Sequence, residues 1–307
     1  MIITAGLSPA WQQILEVNSL QVGEVNRCRT ALWCASGKVI NVGIALQHLG
    51  SPCETIFPAG GYARSLIEAE LNQLNVSFRS LDQQNPTRVC TTILDRSSGL
   101  TTELVENAAP LSDAEVKAFS AEYHRCAETA TVAVLTGSLP AGTPVTFYRD
   151  LLAKTSCPVI LDARGPELEE ALTQAPFLVK PNHEELERTL SRSLSSTEDI
   201  IKGMQEINRR GATWVVISQG KEALWATSDK EVFRFTPPPV EPVNPIACGD
   251  SLAAGIACGI HQGWTVPEAI RWGMGAAADN LTQLLPARLS VASVQAFYEQ
   301  VEMEQIV

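Results

Sequence analysis

The stretch Phe177-Leu178-Val179-Lys180-Pro181-Asn182-His183-Glu184-Glu185 passes from an apolar run to a polar turn and then to the start of a helix. A strand that leads directly into a helix in this way is the βα unit of α/β proteins. Ligand sites of α/β sheets lie beyond the carboxyl ends of the strands, which is where Lys180, Asn182 and Glu185 fall. This stretch therefore predicts both the fold class and the position of a site.

The same pattern continues outward in both directions along the chain. Short apolar runs alternate with amphipathic stretches, which predicts a mainly parallel sheet surrounded by helices. We predict strands at Ile2–Gly6, Cys53–Pro58, Val132–Thr136, Val159–Asp162, Phe177–Lys180 and Trp214–Ser218. We predict helices at Lys38–Leu49, Ala63–Leu74, Ser112–Ala127, Pro144–Lys154, Glu167–Thr173 and Asp199–Arg210.

Two segments interrupt this alternation. Gln13–Cys34 and Thr87–Val105 have strand-like patterns with no helix between their strands, so we expect them to form a small accessory sheet. The simplest interpretation is one α/β domain that spans residues 1–307 and carries this sheet as an insertion. From Asp250 onward the pattern is almost wholly helical.

Composition and charge limit the classes of function. The chain has 307 residues, of which 45% are hydrophobic, and 23 basic against 34 acidic residues give a net charge of −11. Such a surface repels polyphosphate backbones and anionic lipids, so we expect no nucleic-acid and no membrane partner. The longest apolar run, Leu252–Ile260, is too short to span a bilayer, and the segment after Met1 lacks the features of an export signal. We therefore expect a cytoplasmic protein.

Cysteine and histidine spacing gives no indication of a metal centre. None of the eight cysteines forms a C-x-x-C pair, and the four histidines are far apart in the sequence. Structural zinc sites use closely spaced ligands, so zinc is not expected here.

The strongest local signal is the stretch Asn244–Gly255, in which turn residues and small residues precede Asp250 and a small-residue helix. Backbone N–H groups at a helix start are unpaired and can hold a phosphate. A carboxylate beside them could accept a proton from an attacking hydroxyl group. The alternative is that Asp250 only caps the helix, which is a common role for aspartate.

Two further strand ends carry polar residues. Asn182 and Glu185 lie three residues apart at a helix start and could hold Mg²⁺ through water, or they could form a capping box. Gly137 and Ser138 follow another strand and could offer an N–H and a hydroxyl group to an anion, or could simply form a loop. A set of cations in and near the inserted segments could bind a substrate phosphate or could be solvated surface charges: Arg27, Arg29, Lys38 and Arg88.

Two glycine patterns are similar to nucleotide-binding motifs but do not meet the requirements of those motifs. Gly273-Met274-Gly275-Ala276-Ala277-Ala278 fits a loose dinucleotide-binding pattern but lies within a helical stretch, so it predicts helix packing instead. Ser36-Gly37-Lys38 suggests a P-loop, but Leu32 and Val39 stand where that motif needs glycine and serine or threonine.

Taken in order, these motifs resemble those of the ribokinase-like (PfkB) carbohydrate kinase family, most closely its 1-phosphofructokinase and tagatose-6-phosphate kinase branch. The resemblance extends over essentially the whole chain. It is carried by Leu7–Ala10, Gly23–Arg27, Ser36–Val42, Thr87-Arg88, Gly137–Pro140, Lys180–Glu185 and Ala247–Asp250. It implies a three-layer α/β/α fold with a doubly wound, mostly parallel sheet and a small β-sheet lid at about residues 12–35 and 86–106.

The resemblance also implies a reaction, the phosphorylation of a sugar hydroxyl group by Mg²⁺ and ATP. It implies that Asp250 is the general base and that the backbone of Ala247, Cys248, Gly249 and Asp250 holds the transferred phosphoryl group. The substrate site implied in this way comprises Gln12, Arg27, Gly37, Lys38, Asn41, Arg88 and Ser138. Lys180, Asn182, Ser218 and Gly220 would lie along the nucleotide, and Asn182 and Glu185 would organise the metal. A homodimer that pairs through the lid is implied as well.

Three residues depart from the family pattern. Gln12 replaces an aspartate that binds sugar hydroxyl groups, and Val39 replaces a glycine of the Gly-Gly-Lys-Gly motif, which is here Ser36-Gly37-Lys38-Val39. We expect Val39 to crowd the sugar. Ala247 replaces the first glycine of the anion hole, at a cost of roughly 1–2 kcal/mol if that position requires positive φ.

These departures leave three functions open. The first is an active kinase that acts on a ketohexose phosphate of the fructose 1-phosphate or tagatose 6-phosphate type. The second is a kinase-like protein that binds a sugar phosphate or a nucleotide with weak or lost activity. The third is a kinase for nucleosides or unphosphorylated sugars, against which the cations Arg27, Lys38 and Arg88 argue.

Overall fold

The computed structural model describes residues 1–306, which contain fourteen strands and ten helices. The strands are β1 (Ile2–Ala5), β2 (Ala10–Val17), β3 (Thr30–Ser36), β4 (Cys53–Ala59), β5 (Phe78–Asp82), β6 (Val89–Asp95), β7 (Thr101–Val105), β8 (Val132–Thr136), β9 (Val159–Asp162), β10 (Leu178–Val179), β11 (Trp214–Ile217), β12 (Leu224–Thr227), β13 (Val232–Thr236) and β14 (Glu302–Gln305). The helices are α1 (Lys38–His48), α2 (Gly61–Gln73), α3 (Asp113–Ala127), α4 (Phe147–Leu152), α5 (Gly165–Leu172), α6 (His183–Leu190), α7 (Thr197–Arg209), α8 (Cys248–His261), α9 (Val266–Leu281) and α10 (Val291–Gln300).

Ten strands form one large sheet, in the order β14-β13-β12-β11-β10-β9-β8-β1-β4-β5. The strands from β11 to β5 are parallel, and β12, β13 and β14 extend one edge in antiparallel pairs. After β5 the chain returns to the far side of β1 to form β8, so the direction of winding changes between β1 and β8. A crevice at the carboxyl ends of the strands is expected at such a point.

Helices cover both faces of the large sheet. Successive side chains of a strand point to opposite faces, and accordingly Ile2 and Ile3 of β1 belong to two different hydrophobic cores. Helices α1, α2, α8, α9 and α10 contribute to the core that contains Ile2, and α3 to α7 contribute to the core that contains Ile3. The predicted three-layer α/β/α architecture is therefore confirmed.

The two inserted segments meet in a separate four-stranded sheet with the order β3-β2-β6-β7. Strands β2 and β6 pair in parallel, and β3 and β7 flank them in antiparallel pairs. One face of this small sheet carries Ile14, Cys34 and Leu94, which pack with Leu284 and Leu285 in the loop after α9. The predicted division of the chain, as a single domain with lid segments, stays a prediction.

Several elements differ from the sequence prediction. The tail, predicted to be almost wholly helical from Asp250 onward, contains α8, α9 and α10 but ends in strand β14, which pairs with β13. All four residues of β14 are exposed and mostly polar, so no hydrophobic pattern marks this strand and only its backbone pairing creates it. Strands β5, β12 and β13 were not predicted either. The predicted helix Pro144–Lys154 is the shorter α4.

Gly273 and Gly275 lie inside helix α9, as their helical context predicts. A Cβ atom added at Gly273 would come within 2.6 Å of the Leu252 carbonyl oxygen in α8, so the glycine allows two helices to approach closely. Within residues 1–306, no helix is both long and apolar enough to cross a membrane.

Candidate active site

Two adjoining cavities open at the carboxyl ends of the parallel strands. A cavity of about 560 Å³ lies beside Ser138, and one of about 480 Å³ lies beside Asp250. We call them the Ser138 cavity and the Asp250 cavity, and together the cleft. Their shared walls show that they are continuous: both are lined by Lys38, Arg88, Val105, Asp162 and Glu185.

The start of helix α8 forms the floor of the Asp250 cavity. Ala247 caps this helix in the left-handed conformation, with φ at 67°, so the strain expected for alanine at this position is present. The N–H groups of Gly249 and Asp250 belong to the first turn and have no hydrogen-bond partner within the described part of the chain. Because unpaired N–H groups at a helix start attract anions, this turn can hold a phosphoryl group.

Asp250 itself is buried at the bottom of the cavity. Its Oδ2 atom accepts a hydrogen bond of 2.8 Å from Nδ2 of Asn41. Burial raises the pKa of Asp250 from 3.8 to about 6, although Lys38 and the bond from Asn41 act in the opposite direction. A carboxylate with a pKa just below neutral is ionised at pH 7 and can still accept a proton efficiently.

Cys248 also lines the Asp250 cavity, but its thiol is not activated. Burial raises the pKa of Cys248 to about 11. The Cys248 sulfur accepts a hydrogen bond of 3.2 Å from Nδ2 of Asn280. At neutral pH the side chain is therefore a protonated, neutral thiol, and the anion-binding capacity of this turn comes from its backbone.

Asp162 lies in the cleft and was not identified as a site residue in the sequence analysis. Its carboxylate lies 3.0 Å from the Lys38 amine and 3.4 Å from the Lys180 amine. Burial alone would raise the pKa of Asp162, but the two lysines outweigh it and hold the pKa at about 2. The sequence does contain a signal for Asp162, because this residue ends an apolar run that predicts a strand, as Lys180 does. Both residues are therefore expected at the carboxyl ends of parallel strands.

Lys180 also reaches the anion-binding turn. Its amine would be 3.4 Å from a Cβ atom placed on Gly249, so it lies close to the unpaired N–H groups. The same amine is paired with the Asp162 carboxylate. The first turn of α8 and Lys180 together offer positive charge to one anion.

Asn182 and Glu185 do form a capping box at the start of α6. Oδ1 of Asn182 accepts from the Glu185 N–H at 2.8 Å, and Oε2 of Glu185 accepts from the Asn182 N–H at 3.0 Å. Glu185 is nevertheless in the wall of both cavities, and its Oε1 atom accepts no hydrogen bond within residues 1–306, with the Arg164 guanidinium 3.9 Å away. Capping and metal binding are thus compatible at Glu185.

The oxygen donors of Asn182 and Glu185 fit Mg²⁺, which keeps part of its water shell, better than a metal ion that is coordinated by protein side chains alone. Within residues 1–306 there is no group of three or more metal-ligating side chains. Mg²⁺ usually keeps several waters and takes one or two protein carboxylates together with substrate phosphates. Glu185 can supply such a carboxylate, with the Asn182 amide oxygen beside it.

Arg88, Ser8 and Ser138 meet at the Ser138 cavity. The guanidinium of Arg88 donates to the carbonyl oxygens of Ser8, Pro9 and Glu106, over 3.0–3.3 Å. The Ser8 hydroxyl group donates to the Ser138 carbonyl oxygen at 2.5 Å. Arg88 therefore has a structural role, and three of its five N–H groups are already committed.

The small sheet forms the opposite wall of the Asp250 cavity. Nε2 of Gln12 donates to Oγ1 of Thr92 at 2.7 Å. Glu103, directly opposite Thr92 in the sheet register, adds a carboxylate that the sequence analysis did not single out, and burial raises its pKa. Gly37 has φ at 92°, and a Cβ atom there would be 2.8 Å from the Ser8 carbonyl oxygen, so only glycine fits.

Three residues that the sequence analysis proposed for the site lie outside both cavities: Arg27, Arg29 and Gly220. The two arginines are exposed in the loop between β2 and β3, and Gly220 lies in an exposed turn after β11, whereas Ser218 does line the Asp250 cavity. The expectation that Val39 crowds the sugar is wrong. Its side chain is buried in the core and faces Gly6, since one turn of α1 points Lys38 and Asn41 into the cleft and Val39 away from it.

Comparisons with known proteins bear on the family and the fold of the chain. A family model described as pfkB family carbohydrate kinase matches residues 11–288. Phosphofructokinase-2 from Escherichia coli, solved in complex with substrates and products, is 27% identical, with a TM-score of 0.90 over 97% of this chain and 98% of that chain. The tetrameric inhibited form of the same enzyme is 26% identical, with a TM-score of 0.88 and the same coverage. A candidate 1-phosphofructokinase from Thermotoga maritima shares the fold, at 20% identity and a TM-score of 0.92 over 100% of both chains.

The strain at Ala247 gives a first prediction. Ala247→Gly should raise the free energy of unfolding by about 1 kcal/mol, because glycine adopts positive φ without steric cost. Urea denaturation measures this change. Ala175→Gly is the matched control, since Ala175 has φ at 48° but is exposed outside the cleft. If the free energy of unfolding rises for Ala175→Gly but not for Ala247→Gly, strain at the start of α8 is contradicted.

The raised pKa of Asp250 gives a second prediction. The native protein holds the Asp250 proton more tightly than the unfolded chain, so the stability that this proton contributes is present at low pH and lost as the pH rises through about 6. The Asp250→Asn variant has no carboxyl group at this position to ionise. Its free energy of unfolding should therefore be higher than that of the wild type by roughly 2–3 kcal/mol at pH 8. The difference should shrink as the pH falls towards 4. Urea denaturation across this pH range checks it, and a difference independent of pH would contradict the shifted pKa.

Proposed function

The chain belongs to the pfkB family of carbohydrate kinases and is an ATP-dependent sugar kinase, and we propose that its substrate is a ketohexose phosphate of the fructose 1-phosphate or tagatose 6-phosphate type. The observation that carries the proposal is the buried carboxylate of Asp250 beside the unpaired N–H groups of α8, in a cleft that also holds four cations. These cations are Lys38, Arg88, Arg164 and Lys180.

Asp250 is the proposed general base. Its carboxylate accepts the proton of the sugar hydroxyl group as this oxygen attacks the terminal phosphorus of ATP. General base catalysis of this kind contributes typically about 10²–10⁴-fold. With a pKa of about 6, Asp250 is ionised at neutral pH and is ready to accept the proton.

The first turn of α8 is the proposed site of the transferred phosphoryl group. The backbone turn Ala247–Asp250 offers the unpaired N–H groups of Gly249 and Asp250 to its oxygens, and the Lys180 amine lies beside them. Phosphoryl transfer needs alignment and charge stabilisation more than covalent help from the protein. Glu185 and Asn182 would hold Mg²⁺, which would supply further neutralisation of the nucleotide phosphates when bound. Ser218 and Gly220 are proposed to lie along the nucleotide.

The phosphate already on the sugar is proposed to lie in the Ser138 cavity. Arg88 keeps two N–H groups free of its three carbonyl contacts, which is sufficient for a bidentate contact with a phosphate. Lys38 and Ser138 line the same cavity. A phosphorylated ketohexose is also the ligand of phosphofructokinase-2 from Escherichia coli, which was solved in complex with fructose-6-phosphate.

The sugar itself is proposed to lie between Asn41 and Gly37 of the core and Gln12 of the small sheet. Gln12 lacks the charge of the aspartate that the family usually has, and a hydrogen bond to a charged group is worth about 1.5–3 kcal/mol. Glu103 brings a carboxylate to the same wall. We propose that the sugar hydroxyl groups meet this pair, which makes the choice of ketohexose a property of the small sheet. We propose that the reaction takes place in the cytoplasm, where ATP is available and the eight free cysteines would stay reduced.

A binding protein with lost turnover is the second candidate, and specific residues favour it. Its support came from Gln12, Val39 and Ala247, of which Val39 no longer counts because it is buried away from the cleft. The strain at Ala247 remains its best support. A kinase for neutral substrates is less favoured, because an unphosphorylated sugar has no use for the cations of the Ser138 cavity.

The test is ADP release with Mg²⁺ and ATP against fructose 1-phosphate, fructose 6-phosphate, tagatose 6-phosphate and unphosphorylated ketoses. We expect turnover on one phosphorylated ketohexose and a loss of at least about 10² in kcat for Asp250→Asn. Asp150→Asn, which makes the same change on the surface next to Arg149, should leave turnover unchanged. No turnover on any sugar, with sugar phosphate still bound in calorimetry, would favour the binding protein.

Arg88→Ala separates phosphorylated from neutral substrates. We expect KM for the phosphorylated sugar to rise many-fold, because Arg88 contacts its phosphate. An exposed arginine outside the cleft, changed in Arg234→Ala, is the control and should leave KM as it is. An equal rise in KM for phosphorylated and unphosphorylated sugars would show that Arg88 acts only through its three carbonyl contacts.

We also propose a homodimer that pairs through the small sheet. The face of this sheet that carries Gln13 also carries Trp33 and Leu104, which are 47% and 58% exposed. Large apolar side chains on an exposed sheet face indicate an interaction surface. The double change Trp33→Asp and Leu104→Asp should give a monomer in analytical ultracentrifugation, whereas Tyr62→Asp, at an exposed aromatic outside the sheet, should not. A monomeric wild type would overturn the proposal.

A further inference from the structure

A chain of three buried side chains leads from the small sheet to the proposed base. The Ser36 hydroxyl group donates to Oδ1 of Asn41 at 3.2 Å, and Nδ2 of Asn41 donates to Oδ2 of Asp250 at 2.8 Å. Ser36, Asn41 and Asp250 are 2%, 3% and 6% exposed. All three also line the Asp250 cavity.

The direction of the Asn41 amide matters for Asp250. The amide has one donor end and one acceptor end, and only the donor end can stabilise a carboxylate. A turned amide would bring Oδ1 against the carboxylate, where two acceptors repel each other. A hydroxyl group that donates to Oδ1 keeps the acceptor end away from Asp250 and also polarises the amide, which strengthens its bond from Nδ2.

The backbone holds Ser36 and Asn41 on two different elements. Ser36 is the last residue of β3 and pairs with Ala10 of β2, whereas Asn41 lies in the first turn of α1, with its N–H bonded to the Gly37 carbonyl oxygen at 2.9 Å. The side-chain bond crosses the sharp turn at Gly37. The Asn41 side chain on α1 is therefore held by a residue of β3, whose position does not depend on α1.

We propose that Ser36 is a positioning residue that holds the Asn41 amide with its donor end towards the Asp250 carboxylate. The proposal rests on the proposed function, in which Asp250 is the base. Ser36 stands at the first position of the segment that is Gly-Gly-Lys-Gly in the family pattern, so the hydroxyl group is a feature of this chain.

Other charged groups around Asp250 set the background for a test. The charged groups that face it come from several elements, namely Lys38 on α1, Asp162 on β9, Lys180 after β10 and Glu185 on α6, together with Arg88 and Glu103 from the small sheet, and the neutral but titratable thiol of Cys248 on α8 lies beside them. Removal of the Ser36 hydroxyl group changes none of these charges. A change in the titration of Asp250 then reports on Asn41.

The expected effect has a definite sign. Without the hydroxyl group, Oδ1 of Asn41 is left buried without a donor, and the amide turns to find another partner. Asp250 then loses a hydrogen bond that favours its ionised form, and its pKa rises.

The direct measurement is a pH titration of the aspartate carboxyl carbons by ¹³C NMR in protein labelled at its nine aspartates. Asp250→Asn identifies the Asp250 resonance. Ser36→Ala and Ser36→Gly should each raise the pKa of Asp250 by at least about half a unit above the wild type. An Asp250 pKa that stays at the wild-type value in both folded variants would overturn the proposal.

Two controls separate positioning from a general loss of packing. Ser51→Ala removes another buried hydroxyl group, one that contacts Cys258 far from the cleft, and should leave the pKa of Asp250 unchanged. In an Asn41→Ala background, Ser36→Ala should produce no further shift, because the intermediary is gone. A further shift in that background would contradict action through Asn41.

The kinetic measurement distinguishes this proposal from the proposed function. In an active enzyme, the acid limb of the pH profile of kcat/KM should move upward with the Asp250 pKa in Ser36→Ala. An NMR shift in a protein without turnover on any sugar would support the role of Ser36 and refute the proposed substrate class. Turnover with no NMR shift would refute the role of Ser36 alone.

Discussion

A carboxylate taken out of water must be neutralised, and in this cleft Asp162 meets that requirement with two lysines. The bridge from Lys38 to Asp162 to Lys180 connects the start of α1 with the ends of β9 and β10. Helix α1 is far from β9 and β10 in the sequence, and its start meets these two neighbouring strands at their carboxyl ends. The bridge holds the Lys38 amine in the wall that the two cavities share and the Lys180 amine beside the anion-binding turn of α8. The positions of both cations therefore depend on one buried acid.

The two aspartates of the cleft show how environment assigns chemistry. Asp162 and Asp250 are both buried, but the lysines lie in contact with Asp162, whose pKa is about 2, and further from Asp250, whose pKa is about 6. One carboxylate is thus a permanent counterion and the other is suited to exchange a proton near neutral pH. The hydrogen bonds from Asn41 and through it from Ser36 act on the second carboxylate alone.

The three departures from the family pattern differ in their structural effect on the folded chain. Val39 replaces a glycine, yet its side chain lies in the core, because a helix turns each successive residue by about 100° and so directs Val39 away from the cleft. Ala247 replaces a glycine at a position that does require positive φ, and there the cost is real. Gln12 keeps its place in the cavity wall, where Glu103 from another strand offers the charge that Gln12 lacks.

The sequence by itself determined the order of the βα units, the strand ends at Lys180 and Ser138, and the helix start at Asp250, because these features come from local patterns of apolar and turn residues. The resemblance added the roles, and the family match agrees with it. Strand β14, the bridge through Asp162 and the bond from Ser36 to Asn41 were not evident beforehand. A strand pairing and a salt bridge join residues that no local pattern relates, such as Lys38 and Asp162, and a side-chain bond depends on rotamers that only packing selects. Only the tertiary structure could decide them.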